Sequence, residues 1–564
     1  MCRLLLWATR ILLLFRCHNN VYFRAPKNPY MQRKDFYLLG IVWLIAIVIF
    51  YPIASADYLY ADEAFQLWFY KPGSTEAIFT RQGRFLTEYL VRWLFYRVDT
   101  THQLIYLRLF SLAGWMICLP VWYIIIKRIV HKEPAYRYLP FFTCLYLVTS
   151  LPFSVSVHWS ACLQLFIPNT CGLLSGYVLY NGIHFINNRF RLSFTAVAAS
   201  VVLGTMALFT YQSGFCCFVI PFLLHFIMPG TTKKGQVLAT GVGFLMLISV
   251  VYFLLFKLSM QITQVSGFNR TDLHIDLLDK IPYFFTHPFE RSFWLNIIVY
   301  EYDAIARALY KVLFIGWIVL AFVRFMRNAR TDNALSNNKR FSVQQWLEPV
   351  KYIGGVMLLF ALSYFPSLII QENFASNRSQ LALDLCVWLV MSEMFLYFMK
   401  RPERREDPER SERSRRIEGT LRRPAAVVGW GIAFMLVVSS WYNLRYQFLR
   451  PAVKEYAALK DYLKQHYHPG IKALYVIKAP VDAFVQKFHV YQNMDEFGVP
   501  STTFDWGAEF VPRELVYEQT GSRQTAEQLV VKLWPDIETW THSGDKLPQD
   551  ALLIDVPAII NSLR

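Results

Sequence analysis

Charge is scarce in this chain. Only 17% of its 564 residues are Asp, Glu, Lys or Arg, against 55% that are hydrophobic and 17% that are aromatic. A soluble chain of this length would have about a quarter of its residues charged and would divide into several domains. Paired cysteines are also lacking: the nine cysteines lie in or beside apolar stretches and none follows Cys386, so no disulfide framework is laid out. A GxxxxGK(S/T) loop, a GxGxxG turn after a strand, HExxH and CxxC are all missing. ATP hydrolysis, dinucleotide redox chemistry and a zinc site of standard spacing therefore have no support. The long loops hold no DxD pair, which argues against a metal-bound nucleotide sugar.

What the chain has is apolar runs. Hydrocarbon about 30 Å thick takes roughly 20 helical residues to cross, because backbone amides must be satisfied within the segment. Eleven stretches fit, near 36–56, 104–126, 138–157, 162–186, 192–211, 213–228, 236–258, 304–325, 350–370, 380–399 and 425–441. The expected fold class is a polytopic α-helical membrane protein. The net charge is +17, yet residues 442–564 carry 13 basic and 15 acidic side chains, so the basic excess belongs to the membrane part. It gathers in alternate short loops: Arg33 and Lys34, Lys127 and Arg128, Arg189 and Arg191, Lys233 and Lys234, then the basic stretch 400–423. The positive-inside rule makes these loops cytoplasmic. The excess reads as topology, not as a nucleic-acid surface.

On this count residues 1–35 form a cytoplasmic segment, 36–441 the membrane domain, and 442–564 an extracytoplasmic tail. The first 17 residues lack a small-residue cleavage site, and Met31 ahead of a clean apolar run would itself make a sensible start. Two outer loops, 57–103 and 259–303, are too long for passive connections. In the first, Phe85, Tyr89, Trp93 and Tyr96 recur at helical spacing, which predicts a helix lying in the membrane interface. The second contains the proline-broken stretch IPYFFTHPFE. In the tail, 472–479 and 551–560 read as strands and 455–465 as a helix, which suggests a small α/β domain.

Asp62 and Glu63 follow the first crossing, about 20 residues ahead of Arg81 and Arg84. Two readings are open: a carboxylate tuned by partial burial for general-base work, or a salt-bridge set that holds the interfacial helix. The pattern of an apolar first helix, an acidic pair and then Gly83-Arg84-Phe85-Leu86 resembles the phage-encoded and chromosomal O-antigen glucosyltransferase family. Tyr211-Gln212, within LFTYQSGF at a tight outer turn, is a second match. The likeness extends over the organisation of residues 36–400, and its motifs are short. Glu63 stands where the family has a second aspartate, and Gln66 lies near the family's arginine. That family is similar to the multi-spanning GT-C glycosyltransferases. The resemblance implies a polyprenyl-phosphate sugar donor, a glycan or lipid-linked acceptor, and an acidic residue of the first outer loop as base.

Such a donor has its own physical demands. Its tail stays in lipid and its phosphate sits at the surface, so its enzyme needs a lipid-facing groove, a cationic clamp and a base. The candidate bases are Asp62, then Glu63, with Asp57 a third. For the clamp, Arg378 lies in a short outer loop and an arginine bonds phosphate bidentately; Arg84 and Arg81 are alternatives, and Arg270 is a further one. His158, Tyr211 and Gln212 are candidate sugar or phosphate contacts, and each equally fits a packing role. No cofactor is implied, and the pattern is compatible with a divalent metal. The expected localisation is a bacterial inner membrane. A lipid-linked-sugar flippase is an alternative, against which stands the clustering of charge at the outer interface and not at the midplane; an envelope glycan polymerase or ligase is another, which shares the clamp and the outer site. The tail reads as an acceptor-positioning domain whose removal would weaken acceptor use more than donor binding.

Overall fold

The computed structural model describes residues 31–563 apart from 72, 75–76, 132, 188, 264–275, 300–302, 336–342, 374, 400–410 and 545. Residues 1–30, Arg270 and the first half of the basic stretch 400–423 thus lie outside the described residues. The chain is a polytopic helical membrane protein. Seven helices among the described residues are long and apolar enough to cross a bilayer, or eight if a bent pair counts as one span. Several carry apolar side chains that are exposed along their length, such as Leu44, Val48, Val250, Leu254, Val312 and Phe434. In water that surface would be costly; against lipid tails it is the expected lining.

The seven match the expected crossings near 36–56, 104–126, 162–186, 236–258, 304–325, 380–399 and 425–441; the other four are shortened or broken, each for a local reason. The 138–157 stretch splits at Ser150: its Oγ accepts from Phe153 N at 3.3 Å, Pro152 occupies the first turn, and the two halves meet at 48°. Among the seven, Ser160–Asn181 spans but ends ahead of the expected 186, because 183–192 turn into a hairpin. There β1 (Ile183–Ile186) pairs antiparallel with β2 (Arg189–Leu192). The following Phe194–Thr210 helix is short, and Gln212–Ile227 is assembled from α and 3-10 pieces around Pro221. Val343–Leu362 ends ahead of a break, after which Pro366 opens the short Phe365–Ile369 helix. In the first long loop the Phe85–Phe95 helix forms with Leu86, Tyr89 and Trp93 exposed along one side.

The C-terminal region carries β3 (Ala473–Ile477), β4 (Val530–Trp534) and β5 (Ala551–Asp555) in a parallel sheet of order β4-β3-β5. The second half of the expected 551–560 strand is helical from Val556, where the Asp555 carboxylate caps Ala558 N at 3.0 Å and Pro557 sits in the first turn. This region does not hang from a flexible linker. Ser411–Tyr442 runs through a π-helical stretch, Asn443–Leu449, directly into Arg450–His466. The π turn directs polar side chains to the loops around it: Asn443 Nδ2 donates to Asn296 O at 2.7 Å, and Gln447 Oε1 accepts from Tyr491 N at 2.7 Å. The Asp505–Thr520 helix lies on Asp62–Phe69, with Phe510 against Phe65, Trp68 and Phe69 at ring separations of 5.8, 6.4 and 5.2 Å. Burying one such ring contributes roughly 1.5–3 kcal/mol, so the first long loop and the C-terminal region share one core.

Candidate active site

The site gathers at the end of the bundle that faces the C-terminal region, and it is built from helix ends. Charged residues collect there because the apolar stretches stop. Arg84 precedes the Phe85–Phe95 helix, Tyr211 and Gln212 follow Phe194–Thr210, and Arg378 opens Asn377–Met399.

Arg84 Nε donates to Gln212 Oε1 at 2.9 Å, and its guanidinium lies 4.3 Å from the centre of the Tyr211 ring. Gln212 is fixed in turn, since its Nε2 donates to Gln82 O and Tyr252 Oη, both at 2.8 Å. Arg84 is half-buried, and burial lowers its pKa, with the charge of Arg378 acting in the same direction. Among the described residues it forms no ion pair. Arg378 is differently placed: its Nη2 donates to Asp495 Oδ2 at 2.9 Å, and its guanidinium lies 4.7 Å from the Trp159 ring centre. The neighbouring Glu496 caps the helix that Arg378 opens, its Oε2 accepting from Asn377 N at 2.7 Å and its Oε1 from Arg378 N at 3.1 Å. Burial pushes the Glu496 carboxyl up to about 7 against the opposing pull of Arg378.

The acidic pair divides into two roles. Glu63 is fully buried and fully used: Oε2 meets Arg108 Nη2 at 2.8 Å and accepts from Tyr60 N at 2.9 Å, while Oε1 accepts from Ser160 N at 2.7 Å. Arg108 also donates to Tyr58 O at 2.9 Å and lies 3.5 Å from the Tyr58 ring centre. Glu63 thus ties the first long loop to the Leu104–Val130 and Ser160–Cys162 segments. The salt-bridge reading of the loop is met through Arg108, and not through Arg81 or Arg84.

Asp62, one residue earlier, is half-buried at the start of its helix. It follows Ala61 at φ 28°, a conformation that costs a side-chain-bearing residue on the order of 1–3 kcal/mol. Ala61 is held there from the C-terminal region, its N–H donating to Ser501 Oγ at 2.7 Å, while Ser501 N donates to Glu455 Oε2 at 2.9 Å. Tyr60 completes the wall, its hydroxyl donating to Asp495 O at 2.6 Å. Burial pushes that hydroxyl's pKa well up, with Asp495, Glu496, Glu455 and Asp62 adding to the effect.

Two other expected residues sit elsewhere. Arg81 is exposed at the end of the Ile78–Arg81 helix. His158 is fully buried, its ring 3.7 Å from Phe448 and 5.2 Å from Phe497, and its carbonyl accepts from Tyr58 Oη at 2.5 Å. That is a packing position between the bundle and the C-terminal region. Among the described residues no group of three His, Cys, Asp or Glu side chains could hold a metal ion. Arg108, Asp495 and Glu496 are additions of the fold. Arg108 had a signal, being an arginine inside an apolar run; the acidic pair at 495–496 had none beyond its charge. No family model, curated protein or solved structure matches this chain.

Proposed function

We propose that the chain is an integral-membrane glycosyltransferase of GT-C-like architecture that moves a hexose from a polyprenyl-phosphate donor to a cell-envelope polysaccharide or lipid-linked acceptor. The observation that carries this reading is Arg84. It is half-buried, fixed by Gln212 and Tyr211, near the charge of Arg378, and without an ion-pair partner among the described residues. A half-buried guanidinium with no carboxylate partner costs free energy that a bound anion recovers, and a phosphate matches its geometry. In this reading the donor phosphate bonds Arg84 and draws on Arg378, and its tail runs into lipid.

Asp62 is the base. It takes the proton of an acceptor hydroxyl as that oxygen forms a bond to the anomeric carbon; the bond from that carbon to the phosphate oxygen breaks, and the lipid phosphate leaves with the electron pair. A single in-line displacement inverts the anomeric centre. The site then lies on the extracytoplasmic face of a bacterial inner membrane, with the amino terminus cytoplasmic. The test is a transfer assay with membranes and a panel of polyprenyl-phosphate hexoses. Asp62→Asn and Arg84→Ala should abolish transfer at normal protein abundance, and transfer retained in both would overturn the assignment.

A further inference from the structure

Beyond the Asn377–Glu496 contact lies a cleft separate from the arginine site. Its empty space is about 300 Å³ with the open solvent at its mouth included, and the enclosed part admits about one water molecule. Arg291, Trp294, Asn296, Asn377, Gln380 and Asp384 line it. Asn377 forms the boundary, its Nδ2 donating to Glu496 Oε2 and Asn493 Oδ1, both at 2.7 Å.

Three features mark the cleft as built for a ligand. Leu295 and Asn296 are consecutive left-handed residues at φ 49° and 64°, a costly arrangement without glycine, and Asn443 from the π turn holds the Asn296 carbonyl in place. Trp294 Nε1 and Asn296 Nδ2 are buried donors with no partner among the described residues. A buried donor left unsatisfied is destabilising, so its persistence calls for an acceptor. The lining also mixes donors and acceptors: Arg291 donates to Ala375 O at 2.9 Å, and Asp384 Oδ1 accepts from Ser292 Oγ at 2.7 Å. Among the described residues no group of three carboxylate, thiol or imidazole side chains is there to hold a metal ion. Mixed donors and acceptors beside an indole match a neutral hydroxylated ring.

We propose that this cleft is a glycan subsite that takes one neutral pyranose end-on, a single hydroxyl group entering the water-sized space it encloses while the ring stays at the mouth. Its role as the acceptor subsite rests on the transfer reaction proposed above; the binding itself does not.

The experiment is saturation-transfer NMR on the purified full chain in lipid nanodiscs, with the methyl glycosides of glucose, galactose, mannose and rhamnose as probes. At least one should bind. Trp294→Phe, which keeps a ring and removes the N–H, and Asn296→Ala should each weaken that binding about tenfold, while Arg81→Ala, at an exposed position away from the cleft, leaves it unchanged. Absence of binding by every glycoside, or unchanged affinity in both cleft variants, means the cleft holds water only and overturns the proposal. Equal weakening in Arg81→Ala overturns it too, because the effect is then not local to the cleft. Since no transfer is measured, a glycoside bound by a chain inactive in the transfer assay would sink the reaction and leave the subsite standing.

Discussion

Glu63 and Arg108 meet at 2.8 Å with neither side chain exposed to solvent, one from the first long loop and the other from inside a membrane-spanning helix. Removing one partner of such a pair leaves the other buried and uncompensated, at a cost of about 3–5 kcal/mol. Glu63→Gln should therefore lower the melting temperature in detergent and the amount of protein reaching the membrane. Equal melting of the Glu63→Gln and parent proteins would show that the pair is not a structural tie.

Gly83 has φ +74°, and a methyl group there would collide with the Tyr252 hydroxyl, which holds Gln212. Gly83→Ala should displace Tyr252 and release Gln212 from Arg84. The expected result is a rise of roughly tenfold or more in the KM for donor, with Gln212→Ala giving a rise of similar size because one hydrogen bond to a charged group is lost. Steady-state kinetics over a donor series checks this; an unchanged donor KM in both variants would remove Gln212 from the phosphate site.

The Glu496 carboxyl is pushed up to about 7 from an ordinary value of 4.5. The folded protein then keeps a proton that the unfolded chain releases between those values, so this group makes stability fall as pH rises from about 4.5 to about 7. Thermal melts across that window should show a shallower fall in Glu496→Gln than in the parent protein. An identical slope in the two would mean Glu496 is already ionised throughout.

Deleting residues 450–564 should abolish donor binding as well as acceptor use. The tail supplies Asp495 to Arg378, Glu496 to the helix that Arg378 opens, and Ser501 to Ala61 beside Asp62. A membrane binding assay with radiolabelled polyprenyl-phosphate hexose is the check. Donor binding that survives the deletion would return the tail to a purely acceptor-positioning role.

Membrane character and the position of the first long loop were legible because they depend on local patterns: apolar run length, and helical spacing in Phe85, Tyr89 and Trp93. Span count was less so. Ser150, Pro221 and Pro366 break segments whose hydropathy is continuous, and the hairpin at 183–192 interrupts one without lowering its apolar content. Within the site, Arg84 and Tyr211-Gln212 are readable as motifs, yet their contact joins positions more than 120 residues apart and exists only after folding. The separate uses of Asp62 and Glu63 could not be read at all. Adjacent residues of one helix point about 100° apart, and only the packed neighbours decide that Glu63 meets Arg108 fully buried while Asp62 stays half-buried.

The uninterrupted run from the last membrane-spanning helix into the C-terminal region, Val427–His466, is 40 residues long, a rod on the order of 60 Å. Anything mounted on its far end is therefore keyed to it by rotation as well as by height. Adding one residue to the rod would swing the C-terminal region by roughly 100°, carrying Asp495 away from Arg378 and Ser501 away from Ala61. Chimaeras that exchange tails between related chains will work only when the junction preserves helical phase, so insertions of a whole number of turns should be tolerated far better than single-residue ones.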